Sequence, residues 1–90
     1  MHRVPIAKLL YCKAEGDFVR LVLAKKIILI GETMHQLEAR LVPLGFLRVH
    51  RSYLLHLNAV QKVEGNRLFT ASGVFPLGRK YRQEVMRLLR

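Results

Sequence analysis

The sequence predicts a mainly β domain of antiparallel strands, with one short central helix and a second helix at the C-terminus. Three observations carry that expectation. Short runs with strand propensity recur along the chain, separated by brief turns of Gly, Asp, Asn and Ser. Only two segments, beginning at Thr33 and at Arg79, have helical character. No strand–helix–strand alternation is present, so a doubly wound parallel sheet is not expected.

Residues 6–12 read as the first strand, Glu15-Gly16-Asp17 as a turn, and residues 18–23 as the returning strand. Along the second strand Phe18, Arg20 and Val22 point one way and Val19, Leu21 and Leu23 the other. The all-apolar set is the face expected to be buried. Lys25 and Lys26 mark a tight connection to Ile27-Ile28-Leu29-Ile30, and three strands so close in sequence form an antiparallel meander. The pattern changes after Gly31. Thr33 and Gln36 have the spacing of a capping box, and Met34, Leu37 and Leu41 follow on one helical face while Glu38 and Arg40 face away. Pro43 and Gly45 end this helix.

Strands resume at residues 46–49 and 53–57, separated by a polar knuckle, His50-Arg51-Ser52. Residues 60–64 alternate, Gly65-Asn66 turns, and residues 67–70 pair back. Ala71-Ser72-Gly73 turns again into residues 74–77. Residues 79–90 form a basic terminal helix in which Tyr81, Val85, Met86, Leu88 and Leu89 are available for packing.

Ninety residues make a single domain, residues 1–90, with enough chain for a modest core. That length excludes the folds of dehydrogenases, kinases and α/β hydrolases. Hydrophobic residues make up 51%, which is not the composition of a disordered basic tail. Sixteen Lys and Arg against six Asp and Glu give a net charge of +10. The excess is uneven: residues 1–45 have seven basic and four acidic side chains, a net +3, and residues 46–90 have nine and two, a net +7. Such a field raises the local concentration of polyanions, and nucleic acid is the favoured partner. A membrane is not: no segment reads as a lysine-rich amphipathic helix, and no uncharged run approaches the ~20 residues of a membrane span. The first twelve residues are not a signal, because Pro5 and Lys8 break the apolar stretch and Tyr11 is bulky before Cys12. One cysteine cannot form an internal disulfide, and a cytoplasmic location is expected.

Little points to catalysis. His50 and Ser52 share a face of an extended segment, but a serine nucleophile also needs a group that orients the base and donors for the oxyanion. The six acids are scattered singly. No CxxC or HExxH spacing joins Cys12, His35, His50 and His56, and no glycine-rich phosphate loop is present. Neither an enzyme nor a metal or cofactor is expected. His56 reads as a half-buried sheet residue with a local hydrogen bond, and Cys12 as a small buried hydrophobe.

The basic clusters remain. Arg48 and Arg51 flank His50, and Arg79-Lys80-Tyr81-Arg82 opens the terminal helix. A helix N-terminus offers N–H groups to phosphate, arginine adds bidentate hydrogen bonds, and either cation can pair with O6 and N7 of guanine. The plain alternative is that these are ordinary solvated faces. Against it stand four polar positions between Arg48 and Ser52, which suit an exposed knuckle.

At this knuckle, Phe46-Leu47-Arg48-Val49-His50-Arg51-Ser52-Tyr53-Leu54-Leu55 resembles the signature of the LytTR family of bacterial DNA-binding domains. Residues 11–21 resemble that family's first hairpin, and residues 33–41 its short helix. Ser72-Gly73 followed by Phe75-Pro76-Leu77-Gly78-Arg79-Lys80-Tyr81 resembles its closing strand and basic turn. His56 stands where the family commonly has asparagine, and Gly78 where it commonly has serine.

The resemblance implies an elongated fold whose loops, rather than a recognition helix, enter successive major grooves of double-stranded DNA. It implies base contacts by Asp17, Arg51, Arg79 and Lys80, and backbone contacts by Lys13, Arg48, His50, Ser52 and Arg82. It also implies the output domain of a two-component transcription regulator, with a second copy on an adjacent direct repeat and a receiver domain or regulatory protein as further partner. Two other functions use the same basic surface. One is a protein-interaction module, for which Val74 and Phe75 are the candidate apolar patch. The other is sequence-independent polyanion binding.

Overall fold

The computed structural model describes residues 4–89. Its strands are β1 (Leu9–Glu15), β2 (Phe18–Leu23), β3 (Ile27–Ile30), β4 (Phe46–His50), β5 (Tyr53–His56), β6 (Val60–Glu64), β7 (Arg67–Thr70) and β8 (Gly73–Pro76), and its helices are α1 (Met34–Leu41) and α2 (Arg79–Leu88). The strands form a five-stranded sheet in the order β3-β2-β1-β5-β4 and a three-stranded sheet in the order β6-β7-β8. Neighbouring strands are antiparallel throughout. The domain is elongated, with extents of 38 × 23 × 22 Å.

Local chemistry sets the turns and caps. Gly16 and Gly65, with φ of +59° and +60°, take the first central positions of two-residue turns that join Glu15 to Phe18 and Glu64 to Arg67. A positive φ at that position is what a tight hairpin asks for, and glycine supplies it without steric cost. At the start of α1 the Thr33 hydroxyl accepts from the Gln36 N–H at 3.0 Å, and the Gln36 side chain accepts from the Thr33 N–H at 2.9 Å. This is the reciprocal capping box that the sequence predicts.

The five-stranded sheet is buried on both faces at its centre. Leu54 and Leu55 are consecutive on β5, point to opposite faces, and are both fully buried. On one face Leu54, Cys12, Val19, Leu21 and Phe46 pack with Met34, Leu37 and Leu41 of α1. On the other, Val49 and Leu55 pack with Leu68, Phe75 and Leu77 of the smaller sheet and its exit, and with Val85 of α2. Phe75 is the hinge pin between the sheets, with edge contacts to Tyr11 at 4.7 Å and Tyr53 at 5.3 Å between ring centroids.

Several expectations change. Residues 6–8 form a 3₁₀ turn closed by the Lys8 N–H on the Pro5 carbonyl at 2.9 Å, so the first strand starts at Leu9 rather than at Ile6. Phe75 belongs to the core and only Val74 is exposed, which removes that pair as an apolar patch. Of the five apolar residues of the terminal helix, Tyr81, Val85 and Leu89 pack on the second core. Met86 and Leu88 are exposed, because a helix lays one stripe at intervals of four against the sheet and turns the rest outward. Arg90 lies outside the described residues.

Candidate nucleic-acid interface

Three loops meet along one side of the domain, and backbone hydrogen bonds fix them to each other. The knuckle between β4 and β5 is central. Its Ser52 carbonyl accepts from the Ala14 N–H of β1 at 2.9 Å, which ties it to the first hairpin. Its Val49 carbonyl accepts from the Gly78 N–H at 2.8 Å, which ties it to the start of α2. The Gly16-Asp17 turn then projects past the knuckle by the last residues of β1, about 7–10 Å at strand rise. Gly78 lets α2 come close: a β-carbon there would lie 3.1 Å from Cδ2 of Tyr81 and 3.6 Å from Cδ2 of His50.

Arg51 is exposed at the tip of the knuckle, and Arg79 and Lys80 are exposed in the first turn of α2. Among the described residues the ion pairs engage Arg20, Arg40, Arg48, Lys62 and Arg87, so none of these three cations has a carboxylate partner. Glu15, Glu32, Glu38, Glu64 and Glu84 are all paired, and Asp17, exposed on the first hairpin, has no cation partner among the described residues. The structure therefore brings all four expected base-contact residues to exposed positions on loops or at a helix start.

The expected backbone-contact residues are more varied. Lys13 is half-buried, its ammonium 5.9 Å from the centre of the Tyr53 ring. The His50 ring lies beside Tyr53, and its Nδ1 accepts from the Ser52 N–H at 3.1 Å, a bond that closes the knuckle on itself. Arg48 points inward, with a side chain only 15% exposed. Its Nε donates to the His50 carbonyl at 3.2 Å, its Nη2 to the Arg51 carbonyl at 2.6 Å, and its Nη1 to Glu38 Oε1 at 3.1 Å. Those donors serve the loop, where the sequence suggested phosphate. Arg82 is likewise engaged, with Nη1 donating to the Gly65 carbonyl at 2.6 Å.

Two participants were not legible as such. Glu38 reads from helical periodicity as facing away, yet it is half-buried against Arg48, ten residues on, which no local pattern signals. The Gly65-Asn66 turn reads as a plain hairpin turn, but the Asn66 carbonyl accepts from the Leu77 N–H at 2.7 Å, and Arg82 holds Gly65, so it braces the entry to α2.

Elsewhere the chemistry is quiet. Cys12 is fully buried, and burial pushes its thiol up to about 12, far from the thiolate a nucleophile requires. His56 is half-buried, with Nδ1 accepting from the Asn58 N–H at 3.2 Å and its ring edge-on to Phe46 at 4.9 Å. Among the described residues no three His, Cys, Asp or Glu side chains gather as metal ligands would, and no helix is long and apolar enough to cross a membrane. On β2 and β3 the face opposite α1 is left uncovered by the smaller sheet, with Phe18 at 51%, Ile27 at 54% and Leu29 at 53% exposure.

The family described as LytTr DNA-binding domain matches the chain over residues 1–90. No curated protein matches it. Among solved structures, the fold is similar to a chain described as the LytTr DNA-binding domain of a methyl-accepting/DNA response regulator from Bacillus cereus. The TM-score is 0.84 at 21% identity, over 96% of this chain and 84% of that one. An elongated double-sheet β domain with the unpaired cations Arg51, Arg79 and Lys80 on linked loops is thus placed in the class of DNA-binding domains. The chain belongs to the LytTr DNA-binding domain family.

Proposed function

We propose that this chain binds double-stranded DNA sequence-specifically as the output domain of a bacterial transcription regulator. Its three linked loops enter successive major grooves. The observation that carries this reading is the set of exposed, carboxylate-free cations Arg51, Arg79 and Lys80 on loops that share backbone hydrogen bonds. Arginine and lysine so presented suit the O6 and N7 acceptors of guanine, and a fixed frame is what base readout requires. Asp17, with no cation partner among the described residues, suits cytosine N4. Lys13, His50 and Ser52 flank the loops at the level of the phosphates. Arg48 and Arg82 act one step back: their donors hold the knuckle and the β6–β7 turn in shape. Two copies occupy a direct repeat, and a receiver domain or another regulatory protein controls their access to it.

Two variants test the division of labour. Arg51→Ala is expected to cost ~1–3 kcal/mol on the preferred duplex and to relax one base position. Equal weakening on scrambled DNA would make Arg51 a phosphate contact. Lys13→Ala is expected to weaken all duplexes alike and to reduce the salt slope by about one unit, and a site-selective loss there would contradict its assignment.

A further inference from the structure

We infer that Glu38, on α1 and outside every loop assigned to DNA, is a positioning residue for base readout by Arg51; the inference rests on the reading of Arg51 above. The connection runs through Arg48. Its guanidinium is a rigid planar fork, and here it is held at both ends. One side grips the carbonyls of His50 and Arg51 at 3.2 and 2.6 Å, and the other is anchored on Glu38 at 3.1 Å.

The knuckle depends on that grip. The β4–β5 register slips between Arg48 and His50, so the regular ladder does not fix the backbone where the loop begins. The two carbonyls held by Arg48 orient the peptide planes on either side of Arg51 Cα, and hence the direction in which its side chain leaves the loop. A bidentate contact to a base edge survives only small errors in that direction. The Arg48 side chain is too buried for water to replace a lost carboxylate in full, and a charged group left without its partner moves to find one. No substitute is at hand: Glu15, Glu32, Glu64 and Glu84 have their own cations, and Asp17 sits on the first hairpin.

Charge alone makes the opposite prediction. Glu38 is an acid on a protein that binds a polyanion, so its field opposes binding to every duplex, and removing it should help. A positioning role separates the two classes of DNA. Glu38→Gln is expected to leave affinity for a scrambled duplex unchanged or slightly raised, and to lower affinity for the selected duplex about tenfold. The ratio of the two is independent of the folded fraction, because both duplexes report on the same active molecules. Arg48→Lys keeps the charge but cannot span three acceptors, and is expected to narrow the ratio likewise. The double variant should match Arg48→Lys alone within about twofold, as residues acting in one unit do.

Parallel movement of both duplexes in Glu38→Gln, or multiplicative losses in the double variant, would overturn the inference. Arg51→Ala measured alongside separates the two failures. If it narrows the ratio and Glu38→Gln does not, only the role of Glu38 falls. If Arg51→Ala leaves the ratio intact, the reading of Arg51 falls and the role of Glu38 with it.

Discussion

The two helices begin in opposite ways. α1 opens on Thr33, which satisfies the Gln36 N–H and is itself satisfied by the Gln36 side chain. α2 opens on Gly78, which has no side chain to cap with, and its first turn carries Arg79 and Lys80 and no acid. The positive end of a helix dipole favours acids and disfavours cations, so α2 starts with its charges arranged against local stability. α1 is complete within the domain. α2 has no such cap, and its start lies against the knuckle, through the bond from the Gly78 N–H to the Val49 carbonyl at 2.8 Å. Arg79 and Lys80 are the cations proposed above to read base edges, and the free N–H groups beside them would suit an adjacent phosphate. Local rules broken at one place and obeyed at its counterpart mark where function overrides folding.

The contrast can be broken or sharpened by substitution. The largest effect belongs to α1: Leu37→Ala removes a buried core side chain and is expected to cost about 2–5 kcal/mol in urea denaturation, while the folded molecules keep their DNA affinity. Lys80→Ala should do the reverse, losing ~1–3 kcal/mol on the preferred duplex with no loss of stability. A fall in stability like that of Leu37→Ala would place Lys80 in the scaffold. Thr33→Ala is expected to cost about 1 kcal/mol of stability and nothing in binding, because it opens only the α1 cap. Arg79→Glu corrects the sign at the start of α2. A thermal melt should show a gain of about 0.3–1 kcal/mol in the same variant whose DNA binding is lost. Destabilisation by Arg79→Glu would remove the conflict on which the contrast rests.

How much could be read from sequence follows the range of each interaction. The capping box of Thr33 and Gln36, the glycine turns at Gly16 and Gly65 and the buried alternation of Val19, Leu21 and Leu23 depend on residues a few positions apart, and each was legible. Ile6 was not. An apolar residue ahead of a strand looks like more strand, and the N–H groups of Lys8 and Leu9 closing on the Pro5 and Ile6 carbonyls make it a turn. Met86 and Leu88 looked like core because composition does not say which stripe of a helix faces the sheet. In the site, the exposed positions of Arg51 and Asp17 followed from polar turns between strands, and those of Arg79 and Lys80 from the basic start of the terminal helix. The inward turn of Arg48 did not, since its partners include Glu38 on a different element. Nor did the uncovered face at Ile27 and Leu29, because strand order decides which face a second sheet reaches.

Sequence-specific reading by these loops is tested most directly by selection from random duplex DNA at about 150 mM salt, where field-driven binding is already weakened. Enrichment of a short motif, particularly one spaced as a direct repeat, is the predicted result. Tight binding at low salt that enriches no motif and is lost by roughly 200 mM would contradict it, leaving only the field of a +10 domain.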